Sequence, residues 1–213
     1  MKQKKSSAGG NKLDNRQVWD NHYNDSVSRQ SYPDENVVRY IRHWQRKQDI
    51  SKIKCLDLGS GSGRNLKFLR ENIPGTIACD FSQNALLGFD RAICCSAHSL
   101  PFVSQYFDFI LCWGVLHYLG SDERIHAINE IFRVLKPGGR FFATIRDTSD
   151  THLQSQFAEN GDLAGGFAIL ASGKEVETEF SDFTNLQTGF LLRRPLGEKS
   201  VIAHTMVAAE KPL

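Results

Sequence analysis

The chain has 213 residues, of which 40% are hydrophobic and 23% are charged, and its formal net charge is +2. These values are typical of one globular domain with a sizeable core, and so small a charge does not by itself indicate a nucleic-acid partner. The sequence contains no run of about 18 apolar residues, so no membrane span is expected.

Residues 1–14 are predicted to form a flexible basic tail, because they contain four lysines and no apolar core. They therefore do not have the pattern of a secretory signal peptide. The five cysteines have no paired C-x-x-C spacing, which disfavours a metal site. We expect buried, reduced thiols, a cytoplasmic protein, and a single domain over 15–213.

Segment 15–50 is interpreted as an N-terminal lid that includes a helix. Trp19 and Tyr23 stand at helical spacing, and a further helix is predicted over 34–47, directly after Pro33. Four apolar residues of this helix share one face, as expected of a helix packed on a core: Val37, Val38, Ile41 and Trp44.

Predicted strands alternate with predicted helices from residue 54 onward. The strands are placed at 54–58, 75–79, 92–95, 107–113 and 140–145, and the helices at 65–72, 83–89 and 122–135. The strand at 107–113 is apolar on both faces, which is typical of a central strand. Residues 136–139, Lys-Pro-Gly-Gly, are predicted to close the last of these helices.

The remaining segments complete the predicted α/β fold. Segment 146–173 is polar and contains glycines, and it is interpreted as an irregular cap. A short helix is predicted near 174–183, with strands near 185–193 and 200–209 forming an antiparallel hairpin at the sheet edge. The expected architecture is a Rossmann-like, doubly wound, mostly parallel sheet of seven strands with helices on both faces.

The most informative stretch is 54–65, which reads KCLDLGSGSGRN. An apolar strand leads through Gly59, Gly61 and Gly63 into a helix, so the backbone can turn tightly and approach a ligand. Dinucleotide-binding loops read G-x-G-x-x-G instead. Here the glycines are spaced two residues apart and Asp57 precedes them, which suits a ligand that carries an ammonium and a sulfonium but no phosphate.

Four blocks of sequence follow one another in order: LDLGSGSGR at 56–64, LPF at 100–102, FDFILCWGVLHYL at 107–119 and RVLKPGGRF at 133–141. With these blocks the chain resembles class I S-adenosylmethionine-dependent methyltransferases, in the small-molecule group with type 11 and type 25 domains. The resemblance covers roughly residues 53–145. It implies S-adenosylmethionine as cofactor, S-adenosylhomocysteine as product, and no metal.

The resemblance also implies roles for residues around the glycine loop. Asp57 and the loop backbone, including Ser60, would hold the methionine end of the cofactor. Arg64 is a candidate partner for the cofactor carboxylate, and a solvent-facing arginine is the alternative. Asp80 ends the second predicted strand, where a carboxylate can accept hydrogen bonds from a ribose diol. The alternative role of Asp80 is to cap the helix that follows. Phe81 is expected to lie against the adenine.

The adenine side departs from the family pattern. Relatives commonly place an aspartate four residues before LPF, whereas this chain has Ser96, a weaker hydrogen-bond acceptor. Either Ser96 with the Ala97 backbone recognises the adenine, or His98 helps. Cys112 and Trp113, at the end of the fourth predicted strand, are further candidates for cofactor binding.

The acceptor side follows the fourth predicted strand. Methyl transfer from a sulfonium needs alignment and exclusion of water, and a hydroxyl acceptor must also lose a proton. His117 is the candidate base, and a structural histidine is the alternative. Tyr23, Tyr118 and Arg146 are the candidate substrate contacts.

The expected function is transfer of a methyl group to an oxygen or nitrogen of a small-molecule acceptor, with 146–173 covering the acceptor pocket. The alternatives are a catalytically silent protein that binds the cofactor and a nicotinamide-dependent oxidoreductase. A nucleic-acid methyltransferase is a further, less favoured alternative, because no basic face with interleaved aromatic residues is evident. A monomer or homodimer without membrane contact is expected.

Overall fold

The computed structural model describes residues 15–24, 29–153 and 168–213. The helices are α1 (Asn15–Asn24), α2 (Glu35–Gln45), α3 (Leu66–Asn72), α4 (Ser121–Val134) and α5 (Gly173–Glu179). The strands are β1 (Cys55–Leu58), β2 (Ile77–Asp80), β3 (Ala92–Cys94), β4 (Phe107–Cys112), β5 (Leu135–Arg146), β6 (Thr184–Arg193) and β7 (Ile202–Glu210). A 3-10 helix, Leu116–Tyr118, follows β4. The predicted basic tail and half of the predicted cap, 154–167, lie outside the described residues.

The seven strands form one sheet in the order β3-β2-β1-β4-β5-β7-β6. The first five are parallel, and β7 runs antiparallel to both β5 and β6. From β1 the chain continues to β2 and β3 on one side, and it then returns to β4 on the other side of β1. Ligands bind beyond the carboxyl ends of the strands at such a switch in strand order. The predicted fold class and edge hairpin are confirmed.

Apolar residues of β4 alternate between the two faces of the sheet. Phe109 and Leu111 join one apolar cluster with α2 and α3, while Ile110 joins another with α4 and α5. On the first face Tyr40 stacks on Phe142, with ring centroids 4.2 Å apart. Phe109 and Ile110 are fully buried, and burial of one such side chain contributes about 1.5–3 kcal/mol, so apolar packing stabilises both faces of the sheet.

Two predicted local structures are wrong. Residues 83–88 form turns instead of a helix, because Gly88 takes a left-handed φ of +88° and Ser82 is bound to Asp20 of α1. Residues 136–139 lie inside β5. There Gly138 N donates to the Lys211 carbonyl at 2.9 Å, so the carboxyl-terminal segment supplies the hydrogen-bond partners of an extended chain.

The cysteines only partly follow the prediction. Cys79 of β2 and Cys95, directly after β3, form a disulfide, so the expectation of a reduced thiol is wrong for this pair. Cys55 and Cys112 are buried and free, as predicted, whereas Cys94 is free and exposed. Within the described ranges, no helix is long and apolar enough to cross a membrane.

Candidate active site

Two neighbouring cavities lie around the glycine loop at the carboxyl ends of the parallel strands. The larger one, about 260 Å³, is lined by the loop residues Gly59–Ser62 and by residues of α1, β5, β6 and β7, and we term it the loop cavity. The smaller one, about 180 Å³, is lined by Asp80, Phe81 and residues 95–98, and we term it the Asp80 cavity. Both cavities are lined by Trp19, Tyr23, Gly59, Gly114 and Tyr118.

The glycine loop has the tight geometry that its sequence predicts. Gly59, Gly61 and Gly63 have φ angles of +71°, +52° and +84°, a region that only glycine adopts without strain. A Cβ at Gly61 would lie 2.5 Å from Tyr23 Oη, and one at Gly63 would lie 2.5 Å from Phe89 Cζ. The loop therefore needs glycine both for its conformation and for its neighbours.

Asp80 joins β2 to the glycine loop. The residue is 8% exposed, and its carboxylate accepts hydrogen bonds from Gly61 N at 2.8 Å and Ser82 N at 2.9 Å. Burial raises the pKa of Asp80, while these backbone donors lower it. A carboxylate has about four acceptor sites, so it can still receive a diol in the cavity that it lines. Phe81 lines the same cavity, with the Arg16 guanidinium 4.7 Å from its ring centroid.

Asp57 lies within β1, beneath the glycine loop, and does not line either cavity. It is 2% exposed, and its Oδ2 atom is buried without a hydrogen-bond partner among the described residues. Burial, with a smaller contribution from the charge of Asp80, raises the pKa of Asp57 to about 7. A cation bound above the loop would favour the ionised form.

Arg64 lines the loop cavity. It forms an ion pair with Asp34 at 3.1 Å and donates to the Tyr32 carbonyl at 3.1 Å. Arg64 therefore fastens the segment before α2 to the glycine loop, and its side chain is only 31% exposed.

The predicted adenine contacts come together in the Asp80 cavity. Ser96, Ala97 and His98 all line it, and Ser96 O accepts a hydrogen bond from Ser99 N at 3.1 Å. Cys112 is fully buried at the end of β4 and does not line either cavity. Its neighbour Trp113 lines the loop cavity instead.

His117 lines the loop cavity from the 3-10 helix after β4 and is 1% exposed. Burial holds its pKa well below the usual range, and the charges of Arg146, His204 and Arg124 lower it further. Its Nδ1 atom has no partner among the described residues. Burial therefore favours the neutral imidazole, in which one ring nitrogen is an acceptor.

Helix α1 lies over both cavities with its aromatic side chains. Trp19 packs edge-on against Tyr118, with ring centroids 4.9 Å apart, and stacks with Tyr23. Burial, followed by the charge of Asp80, raises the pKa of Tyr23. Asn84 Nδ2 donates to the Asp20 carbonyl at 3.2 Å and so ties this helix to the turn after β2.

Residues from the last strands also line the loop cavity, and the sequence did not indicate them. Arg193 ends β6, His204 lies in β7, and Thr144 lies in β5. Arg146, one of the three predicted substrate contacts, lies opposite His204 in the pairing of β5 with β7. The spacing of these residues along the sequence does not predict that they are neighbours, because antiparallel pairing of distant segments brings them together. Among the described residues, no His, Cys, Asp and Glu side chains are grouped to hold a metal ion.

Comparison with known proteins gives a family match over the first part of the sheet. A model of the methyltransferase domain matches residues 56–143. The human protein named "Probable tRNA methyltransferase 9B" is 32% identical over 124 residues, which are 54% of this chain and 26% of that protein. The match thus spans about a quarter of that relative's length.

Solved structures share the fold over most of the chain. An S-adenosylmethionine-dependent methyltransferase from Anabaena variabilis superposes with a TM-score of 0.67 at 16% identity, covering 98% of this chain and all of that one. A Burkholderia thailandensis 1,6-didemethyltoxoflavin-N1-methyltransferase, solved with bound 1,6-didemethyltoxoflavin and S-adenosylhomocysteine, gives a TM-score of 0.61 at 21% identity. It covers 84% of this chain and 80% of that one.

Proposed function

Because the chain belongs to the class I S-adenosylmethionine-dependent methyltransferases, we propose that it methylates an oxygen or nitrogen of a small-molecule acceptor. The observation that carries this proposal is the meeting of two cavities at the glycine loop. The Asp80 cavity suits the adenosine part of the cofactor, and the loop cavity suits its methionine end and the acceptor. When bound, S-adenosylmethionine supplies a methyl group on a sulfonium, with a neutral thioether as leaving group.

The residues around the loop fit this cofactor. The unpartnered Oδ2 atom of Asp57 would lie under an ammonium, and the left-handed glycines leave room for a ligand close to the backbone. The other proposed contacts are the ribose diol at Asp80, the carboxylate at Arg64, and the adenine at Phe81, Ser96 and Ala97.

The acceptor would bind beside the aromatic residues of α1 and the 3-10 helix. Trp19, Tyr23 and Tyr118 line the shared part of the two cavities and would exclude water from the reacting atoms. For a hydroxyl or amine acceptor, the free Nδ1 atom of His117 is the proposed proton acceptor. We expect α1 to act as a lid over this site.

The test is isothermal titration calorimetry with S-adenosylhomocysteine, followed by turnover with methyl-labelled S-adenosylmethionine and a panel of small hydroxyl, amine and carboxyl compounds. We expect tight binding of the product and label transfer to at least one compound. Binding without transfer across the panel would favour the catalytically silent alternative. Stabilisation by NAD but not by S-adenosylhomocysteine would favour the oxidoreductase.

A nucleoside of tRNA is the second candidate acceptor, and the name of the human relative favours it. The structure also has a basic groove of about 650 Å³ between α2 and β6, lined by Arg39, Arg42, His43 and Arg46. Label transfer to bulk tRNA that weakens steeply with added salt would support this acceptor. A replacement of Arg39 by Gln should reduce it, and unchanged transfer would contradict a role of the groove.

A further inference from the structure

Two of the four sequence blocks line neither cavity, and the structure joins them to each other. The block LPF occupies 100–102, and the block RVLKPGGRF begins at Arg133, in the last turn of α4. Arg133 Nη2 donates to the Leu100 carbonyl at 3.0 Å, and its Nη1 atom donates to the Phe102 carbonyl at 2.8 Å. One side chain of α4 therefore binds both ends of the LPF block.

Glu130, three residues before Arg133, binds the same segment. Its Oε1 atom accepts from Arg133 Nε at 2.6 Å, and its Oε2 atom accepts from Arg133 Nη2 at 2.8 Å. The same Oε2 atom accepts from Leu100 N at 2.8 Å. The hydrogen bonds from Arg133 and from Leu100 N lower the pKa of Glu130. This doubly hydrogen-bonded ion pair has a fixed geometry, and we term its two side chains the α4 clamp.

The α4 clamp binds the chain directly after a turn that lines the Asp80 cavity. Ser99 N donates to the Ser96 carbonyl at 3.1 Å and so closes this turn. Leu100, which both clamp residues bind, is the next residue. The turn residues 96–98 line the Asp80 cavity, whereas the α4 clamp lines neither cavity. The clamp would therefore act on a ligand only through the position of the turn.

The turn would meet the edge of the adenine that carries N1 and the 6-amino group. This edge has an acceptor at N1 beside a donor at the amino group, whereas hypoxanthine has a donor at N1 and an acceptor at O6. The Ser96 hydroxyl both donates and accepts, so it fits either base. A backbone N–H only donates, so it fits N1 of adenine alone. The choice of base would therefore depend on where the backbone of the turn lies.

We propose that Glu130 and Arg133 are positioning residues for the cofactor, which fix the backbone of turn 96–99 against the adenine and so set the preference for adenine over hypoxanthine. This inference rests on the proposed function, since it concerns the adenosine part of the same cofactor. A site built to hydrogen-bond one ligand rejects another that leaves its polar groups unpaired. A loosened turn could adapt to either base, so loss of the clamp should reduce the preference.

The test is calorimetry with S-adenosylhomocysteine and S-inosylhomocysteine, which differ only at this edge of the base. The wild type should bind the adenosyl compound at least tenfold more tightly. Arg133→Met should reduce this preference at least fivefold, because two carbonyls of the LPF block lose their donor. Equal affinities of the wild type for the two compounds, or an unchanged preference in the variant, would overturn the inference. Failure of the wild type to bind either compound would instead contradict the proposed function.

Arg70→Met is the matched control. Arg70 of α3 forms an ion pair with Asp90 at 2.7 Å and donates to the carbonyls of Thr76 and Asp90, at 3.4 Å and 2.6 Å. Thr76 and Asp90 precede β2 and β3, at the end of the sheet away from both cavities. This variant loses the same kinds of contact, but it should keep the wild-type preference within twofold. A loss of preference as large as that of Arg133→Met would refute a specific role of the α4 clamp.

Two replacements of Glu130 add a rescue by a conservative variant. Glu130→Ala removes the acceptor of Leu100 N and should lower the preference at least threefold. Glu130→Gln keeps an oxygen that can accept from Leu100 N, so it should retain at least half of the wild-type preference. Urea unfolding verifies that each variant is folded, and this pair carries the test if Arg133→Met does not fold. Equal preferences of the two Glu130 variants would contradict a positioning role.

Discussion

Replacing Asp57 by Asn should make the cofactor-free protein more stable at alkaline pH. An ordinary aspartate has a pKa of about 3.9, and each tenfold change in an ionisation constant is worth about 1.4 kcal/mol. Burial raises the pKa of Asp57 to about 7. Ionising this group in the folded rather than the unfolded protein therefore costs about 4 kcal/mol at a pH above both values.

The sign of the pH dependence follows from proton binding. Between about pH 4 and pH 7 the folded state keeps a proton on Asp57 that the unfolded state has released, so stability falls as pH rises through this window. At pH 5 about 1.5 kcal/mol of the cost is already present. The stability advantage of the Asn variant should thus be about 2–3 kcal/mol larger at pH 8 than at pH 5.

Urea unfolding of the cofactor-free protein at pH 5 and pH 8 measures this difference. Asp182→Asn, at an exposed carboxylate of the same chain, is the matched control and should leave the pH dependence of the wild type unchanged. The Asp57 variant should also bind S-adenosylhomocysteine less tightly, because it has no charge to place under the ammonium. A stability difference that is the same at both pH values would refute the reasoning.

Three further substitutions test the site. Asp80→Asn should weaken binding of S-adenosylhomocysteine at least tenfold by calorimetry, since a charged acceptor is lost; unchanged affinity would contradict the ribose assignment. Gly63→Ala should cost about 1–3 kcal/mol in urea unfolding, because φ is +84° and Phe89 lies 2.5 Å from the new Cβ; wild-type stability would argue against this loop geometry. Ser96→Asp should tighten binding several-fold if an adenine amino group lies there, and weaker binding would place the adenine elsewhere.

The glycine loop and the residues beside it could be predicted from the sequence because their geometry is local. The strand, the three left-handed glycines and α3 are consecutive, so one stretch of sequence contains the whole turn. The position of Asp80 could also be predicted, since it is the last residue of the next strand and parallel strands end at one edge of the sheet. Here local backbone preference and final structure agree.

Other local predictions failed where distant segments supplied the deciding contacts. The turn at 83–88 depends on α1, which binds Ser82 and Asn84. The extended chain at 136–139 depends on Lys211, which follows β7. The disulfide of Cys79 and Cys95 depends on the parallel pairing of β2 and β3. No stretch of neighbouring residues contains that information.

The methyltransferase resemblance, the parallel sheet and the glycine loop could be predicted from the sequence, because they follow from motifs within single strand-loop-helix units. The residues on the proposed acceptor side could not, because they come from segments that are distant along the chain. Arg146, Arg193 and His204 come from three strands and meet because β7 pairs antiparallel with both β5 and β6. The set of side chains on this side of the loop cavity therefore depends on strand pairing, which brings together residues far apart along the chain.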